Sequence, residues 1–207
     1  MGLFDKLFKK DNNIKNIKFN NETLRKAVKE WLEDESIAEA KYGHISNWDV
    51  SKVTDMSYMF RLAKDFNEPI GDWDVSKVTD MHAMFEVAND FNQDISNWDV
   101  SKVTDMSNMF STAKAFNQPI GVWDVSNVSN MYAMFNGAKA FNQPISNWDM
   151  SSVTAMGEMF SGARAFNQPI GNWVVNNVNK NNLMFMNAKA FNQDLSSWNL
   201  LEGTGIL

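Results

Sequence analysis

Apolar residues return along this chain at a fixed interval of 25 positions. Trp48, Trp73, Trp98, Trp123, Trp148, Trp173 and Trp198 form one column. Other columns hold Ile45 through Ile170 with Leu195 last, Val53 through Val178, Phe60 through Phe185, Ala63 through Ala188, and the pair Phe66-Asn67 through Phe191-Asn192. Almost every repeated letter is apolar, small or Asn. A unit this short cannot close a core alone, so the period predicts stacked repeats, each burying its apolar face against its neighbours.

Inside a unit the periodicity changes. Asn47-Trp48-Asp49-Val50-Ser51 alternates apolar with polar, which predicts a short half-buried strand with Trp48 and Val50 inward and Asn47, Asp49 and Ser51 outward. Met56, Met59, Phe60 and Ala63 follow at i, i+3, i+4 and i+7, the spacing of one face of a two-turn helix, with Thr54 as its N-cap and Asp55 favourable to its dipole. The return segment, such as Phe116-Asn117-Gln118-Pro119-Ile120, carries all four prolines of the chain, at positions 69, 119, 144 and 169, and proline ends a helix. The predicted unit is strand, helix, turn, with parallel strands about 4.8 Å apart between units. The Asn after Phe predicts a ladder that satisfies backbone groups at each corner.

A slower rhythm runs over the first. Ser46, Gly71, Ser96, Gly121, Ser146, Gly171 and Ser196 alternate, and the twelve residues Ile45 to Met56 recur verbatim as Ile95 to Met106. Duplication of a 50-residue pair of units accounts for both. The sequence divides into a leader over 1–20, a capping helix and lead-in over 21–44, the repeat array over 45–201, and a tail over 202–207. Leu24, Ala27, Val28, Trp31 and Leu32 lie on one face of the capping helix, with Asn20 or Asn21 as its N-cap. In the leader, Leu3, Phe4, Leu7 and Phe8 share a face beside lysines, as a flap over the first repeat or a membrane-surface segment would. No helix is read after the last repeat, so that edge is predicted either to be polar enough to stand alone or to pair with a second copy.

Charge and composition narrow the function. The formal charge is -6, with 19 basic and 25 acidic residues, which carries no nucleic-acid footprint. The absence of cysteine removes disulfides and thiolate metal sites, and no run of about 18 apolar residues suggests a transmembrane helix. His44 and His82, the only histidines, lie in different units with no ligand cluster around them, and no metal, cofactor, nucleophile or phosphate-loop spacing appears. The aromatic, Val, Ile and Met columns are core. The polar residues between them remain as a candidate binding face: Asn47, Asp49, Ser51, Asp74, Ser76, Asn97, Asp99, Ser101, Asp124, Ser126, Asp149 and Ser151. Stacked carboxylates repel, and hydrogen bonds from the serines with charge from Lys52, Lys77 and Lys102 offset this in the structural reading. In the functional reading the acidic stripe binds a basic protein segment or, weakly, Ca²⁺. Two rivals stand beside a protein-binding scaffold: an ice- or surface-binding repeat using the regular spacing, and a carboxylate-dependent hydrolase. The hydrolase requires acids in unlike environments, which a ladder of equivalent aspartates does not offer.

The motif W-D-V-S-x-V-T-x-M-x-x-M-F-x-x-A-x-x-F-N-x-x-I, intact from Trp98 to Ile120, resembles the BspA-like leucine-rich-type repeats, in particular the mycoplasma-type branch of unknown function. The resemblance covers about Ile45 to Leu200. It implies an α/β fold similar to leucine-rich repeats: a right-handed solenoid with short parallel strands on the concave face and short helices on the convex face, behind an N-terminal capping helix. It further implies no enzymatic activity, and binding of a protein partner in bacterial adhesion at the cell surface. The chain lacks the signal peptide and lipoprotein cysteine of secreted members, which points to the cytoplasm, so both compartments stay open.

Overall fold

The computed structural model describes residues 17–179 and 181–198. The predicted leader face at Leu3, Phe4, Leu7 and Phe8 and the tail over 202–207 lie outside the described residues.

Among the described residues, two helices precede the repeats. α1 spans Asn21–Glu33, and Asn20 is its N-cap, accepting from the Thr23 N–H while the Thr23 side chain reaches back to the Asn20 N–H. The two reciprocal bonds satisfy donors that the first helical turn leaves free. Asp34 ends α1 and caps α2, Glu35–Tyr42. Leu24, Ala27, Val28 and Trp31 are buried, whereas Leu32 is 44% exposed; it lies off the buried stripe to which the sequence spacing assigned it.

The repeats do not have the predicted α/β architecture. Among the described residues there is no sheet and no strand, only isolated parallel bridges such as Asp55 to Asp80 and Asp80 to Asp105, and no α-helix follows Tyr42. A leucine-rich-repeat-like solenoid with a concave sheet and convex helices is therefore set aside. Trp48 and Val50 do point inward, but the Asp49 carboxylate takes the Ser51 N–H, and the Val53 N–H returns to the Val50 carbonyl. The expected strand is thus a bend followed by a turn. Asp and Ser side chains compete with ladder bonds in this way.

The expected helix over Met56 to Ala63 is a run of turns. Met59 N–H bonds Met56 O, Arg61 N–H bonds Tyr58 O, and Ala63 N–H bonds Phe60 O. Tyr58 and Leu62 sit at φ 59° and 66°, in the left-handed region that no α-helix contains. The alternate N–H groups reach the next repeat: Met56 to Asp80 O, Tyr58 to His82 O, Phe60 to Met84 O and Leu62 to Glu86 O, at 2.8 to 2.9 Å. The pattern recurs from repeat to repeat, as in Phe85 to Met109 O, Phe110 to Met134 O and Phe135 to Met159 O. Thr54 is accordingly no N-cap; its carbonyl accepts from the N–H and hydroxyl of Thr79. A two-turn helix is marginal by itself, and here each alternate N–H has a backbone carbonyl as its partner one repeat away. The Met, Phe and Ala spacing fits both conformations, because two successive four-residue turns also bring those residues to one side.

The core is a set of columns. Phe60, Phe85, Phe110, Phe135, Phe160 and Phe185 stack at centroid spacings of 5.5 to 5.8 Å, and within a repeat each lies 3.8 to 4.0 Å from the second Phe. Each Trp is buried, and from Trp73 onward its indole N–H donates to the Ile carbonyl of the preceding repeat at 3.0 to 3.2 Å. The Asn column is a ladder: Asn67 Oδ1 accepts the Asn92 N–H, Asn92 Oδ1 that of Asn117, and Asn117 Oδ1 that of Asn142, each at 2.9 Å. The Gly and Ser alternation has a steric cause as well as a history. A methyl on Gly71, Gly121 or Gly171 would overlap the carbonyl oxygen of Asp94, Pro144 or Asp194.

Candidate functional site

The twelve predicted residues fall on one repeated turn. Each aspartate caps its own bend: Oδ1 of Asp49, Asp74, Asp99 and Asp124 accepts the N–H and the hydroxyl of Ser51, Ser76, Ser101 and Ser126, at 3.1 and 2.6 Å. Asp149 accepts the Ser151 N–H at 2.9 Å. Asn47 and Asn97 are exposed beside them. The hydroxyl and N–H of the following serine hold Asp74, Asp99 and Asp149 below the usual carboxylate range. Asp49 is lowered first by the Ser51 hydroxyl and also by Lys18, whose ammonium lies 3.3 Å away. Lys77 donates to the Ser51 carbonyl rather than to a carboxylate. Among the described residues, no protein group takes the second oxygen of Asp74, Asp99, Asp124 or Asp149.

A second polar column was not singled out from the sequence. Asp55, Asp80 and Asp105 occupy the bridged positions between repeats. Arg25 of α1 pairs with Asp55 at 2.7 Å and donates to the Ser57 carbonyl; burial pushes Asp55 up, and Ser57 and Arg25 together bring it below its ordinary value. Across the next repeats, Ser107 donates to Asp105 at 2.5 Å, His82 Nδ1 lies 2.6 Å from the Ser107 hydroxyl, and His82 Nε2 lies 2.8 Å from the Tyr58 hydroxyl. The single Ser107 proton goes to Asp105, so Nδ1 is the donor to Ser107, and in the neutral imidazole Nε2 then accepts from Tyr58. Ser107 is 4% exposed and fully engaged, which makes this chain of bonds a tie across three repeats. Further along, Tyr132 donates to Glu158. The readable signal was the two-unit alternation at positions 57 and 58 of the repeat, where the bulky polar group changes column from one unit to the next.

His44 lies 3.5 Å from Glu68 and apart from His82. Among the described residues, no three His, Asp or Glu side chains stand together as a metal site, and no helix is long and apolar enough to cross a membrane.

A concavity lies elsewhere, between the cap and the first repeat. It is an open groove of about 670 Å³ lined by Trp31, Leu32, Glu33 and Glu35 of the cap and by residues 61–66 and Glu68 of the first repeat. A smaller hollow of about 290 Å³ lies along Arg25, Val28, Leu32, Tyr58 and Met59.

Searches of curated proteins and of solved structures found no match. The family described as "Mycoplasma protein of unknown function, DUF285" matches residues 26–139 and again 118–205. The match is to that family and does not extend to BspA-like leucine-rich repeats. Because the two matched stretches take in both the cap and the repeats, the chain belongs to the DUF285 family.

Proposed function

We propose that this protein is a non-enzymatic repeat scaffold that binds a basic segment of a protein partner along the Asp-x-Ser turns. The observation that carries this reading is the presentation of Asp74, Asp99, Asp124 and Asp149 in one repeated turn. One oxygen of each is fixed by its own backbone and the other is uncommitted. A fixed row of charges favours an extended, oppositely charged partner and steers its approach. Every resolved carboxyl shift among the described residues is downward, whereas a general acid needs a raised one, and this favours a scaffold over a hydrolase. Adhesion is the setting that the resemblance of the motif to BspA-like repeats adds.

The test is the triple variant Asp74→Asn, Asp99→Asn, Asp124→Asn. An amide oxygen still accepts from the serine, so the fold is retained while three charges are removed. Partner capture from envelope and lysate fractions should weaken by at least tenfold, and wild-type capture should fall with added salt. Undiminished capture by the triple variant would refute binding through this face.

A further inference from the structure

The inter-repeat bonds of the turn run have one direction. In every pair, the earlier repeat donates N–H groups from alternate residues, and the later repeat accepts on the carbonyls of Asp80, His82, Met84 and Glu86 or their equivalents. The first repeat therefore turns its own corresponding carbonyls, those of Asp55, Ser57, Met59 and Arg61, toward the cap. Arg25 satisfies Ser57 O. Among the described residues, no donor reaches Met59 O or Arg61 O, and these two residues line the two hollows beside α1. Apolar side chains flank the same place: Leu32, Tyr58 and Leu62 are 44%, 48% and 57% exposed. The rim is predominantly acidic, with Glu33, Glu35, Asp65 and Glu68 against Lys64; Lys29 lies 3.7 Å from Glu33 and His44 3.5 Å from Glu68, and Arg61 is already paired with Glu86 at 2.5 Å.

We infer that this groove is a second binding site, distinct from the aspartate turns, and that it takes an extended polypeptide of alternating apolar and basic residues as an added row. Such a segment offers an N–H at every second residue, in the rhythm with which each later repeat is met. Its apolar side chains would cover Leu32 and Leu62, and its lysines would face the acidic rim. Main-chain bonds of this kind supply affinity and alternate side chains supply selectivity.

The probe is a fluorescent ten-residue peptide alternating Leu and Lys, titrated into the full chain by anisotropy. The inference expects saturable binding, at least tenfold weaker when alternate Lys amides of the peptide are N-methylated, and at least tenfold weaker for the Leu32→Gln, Leu62→Asn double variant. Both substituted residues are exposed and Asn accepts the left-handed backbone at position 62, so the variant should keep the wild-type melting transition. The triple aspartate variant should bind the peptide as wild type does, which separates this site from the proposed function. The inference is overturned if the peptide does not bind, if N-methylation or the double variant changes nothing, or if only the triple variant loses binding. It is equally overturned if binding appears only after residues 1–16 are removed, or if the double variant abolishes a dimer seen in sedimentation, since the occupant is then the leader or a second copy.

Discussion

Among the described residues, ten other than glycine hold a positive φ, and they fall at two positions of the repeat. Tyr58, Ala83, Asn108, Ala133, Glu158 and Leu183 occupy the first; Leu62, Val87, Thr112 and Asn187 share the second with Gly137 and Gly162. The left-handed region costs an L-residue about 1 to 2 kcal/mol, and Val87 is β-branched, the costliest kind. The conformation persists because buried rings on one side and row-to-row hydrogen bonds on the other both require it. Gly137→Ala should therefore lower stability by about 1 kcal/mol in urea unfolding, although the added methyl meets only ordinary contacts. The aspartate turns make a different prediction. The Ser101 hydroxyl and N–H depress Asp99, so the stability that this group contributes is present above the free aspartate value of about 4 and is lost as pH falls through the lower folded value. By NMR titration, Ser101→Ala should move the Asp99 midpoint upward, and the variant should lose less stability than wild type on acidification, with that loss complete at a higher pH.

At the scale of one repeat, the Trp column shows how neighbours are fixed in register. Trp98→Phe removes the donor to Ile70 O and leaves a gap in a buried layer. A cost of about 2 to 4 kcal/mol is expected from the two effects together, measurable by chemical denaturation. The columns that form this layer were legible in the sequence: the inward Trp, Val, Ile, Met and Phe, the Asn ladder, the Asn20 cap and the serine partners of the aspartates. The backbone between them was not. Spacing at i, i+3, i+4 and i+7 reports which side a residue faces, and a helix and a pair of left-handed turns give the same answer. The spacing of Asp55 and Ser57, like that of Asp49 and Ser51, carried the missing information, because an Asp two residues before a Ser marks a bend. The tie through Tyr58, His82 and Ser107 was hidden for another reason, since its members lie 24 and 25 residues apart in successive repeats.

Over the whole molecule, neighbouring repeats share rings, carbonyls and Asn side chains, so each row is stabilised chiefly by the rows beside it. The two candidate faces follow from this arrangement: bends that close on themselves leave an acidic face, and a one-way ladder leaves acceptors at its first row. Both depend on the claim that the segment after each Thr is a turn run bonded to the next repeat. Trans-hydrogen-bond scalar coupling between amide nitrogen and carbonyl carbon in the isotope-labelled protein tests it. The account predicts a coupling from the Phe110 nitrogen to the Met134 carbonyl carbon, one row ahead. A coupling from Phe110 to the carbonyl of Met106, four residues back as in a helix, would contradict it.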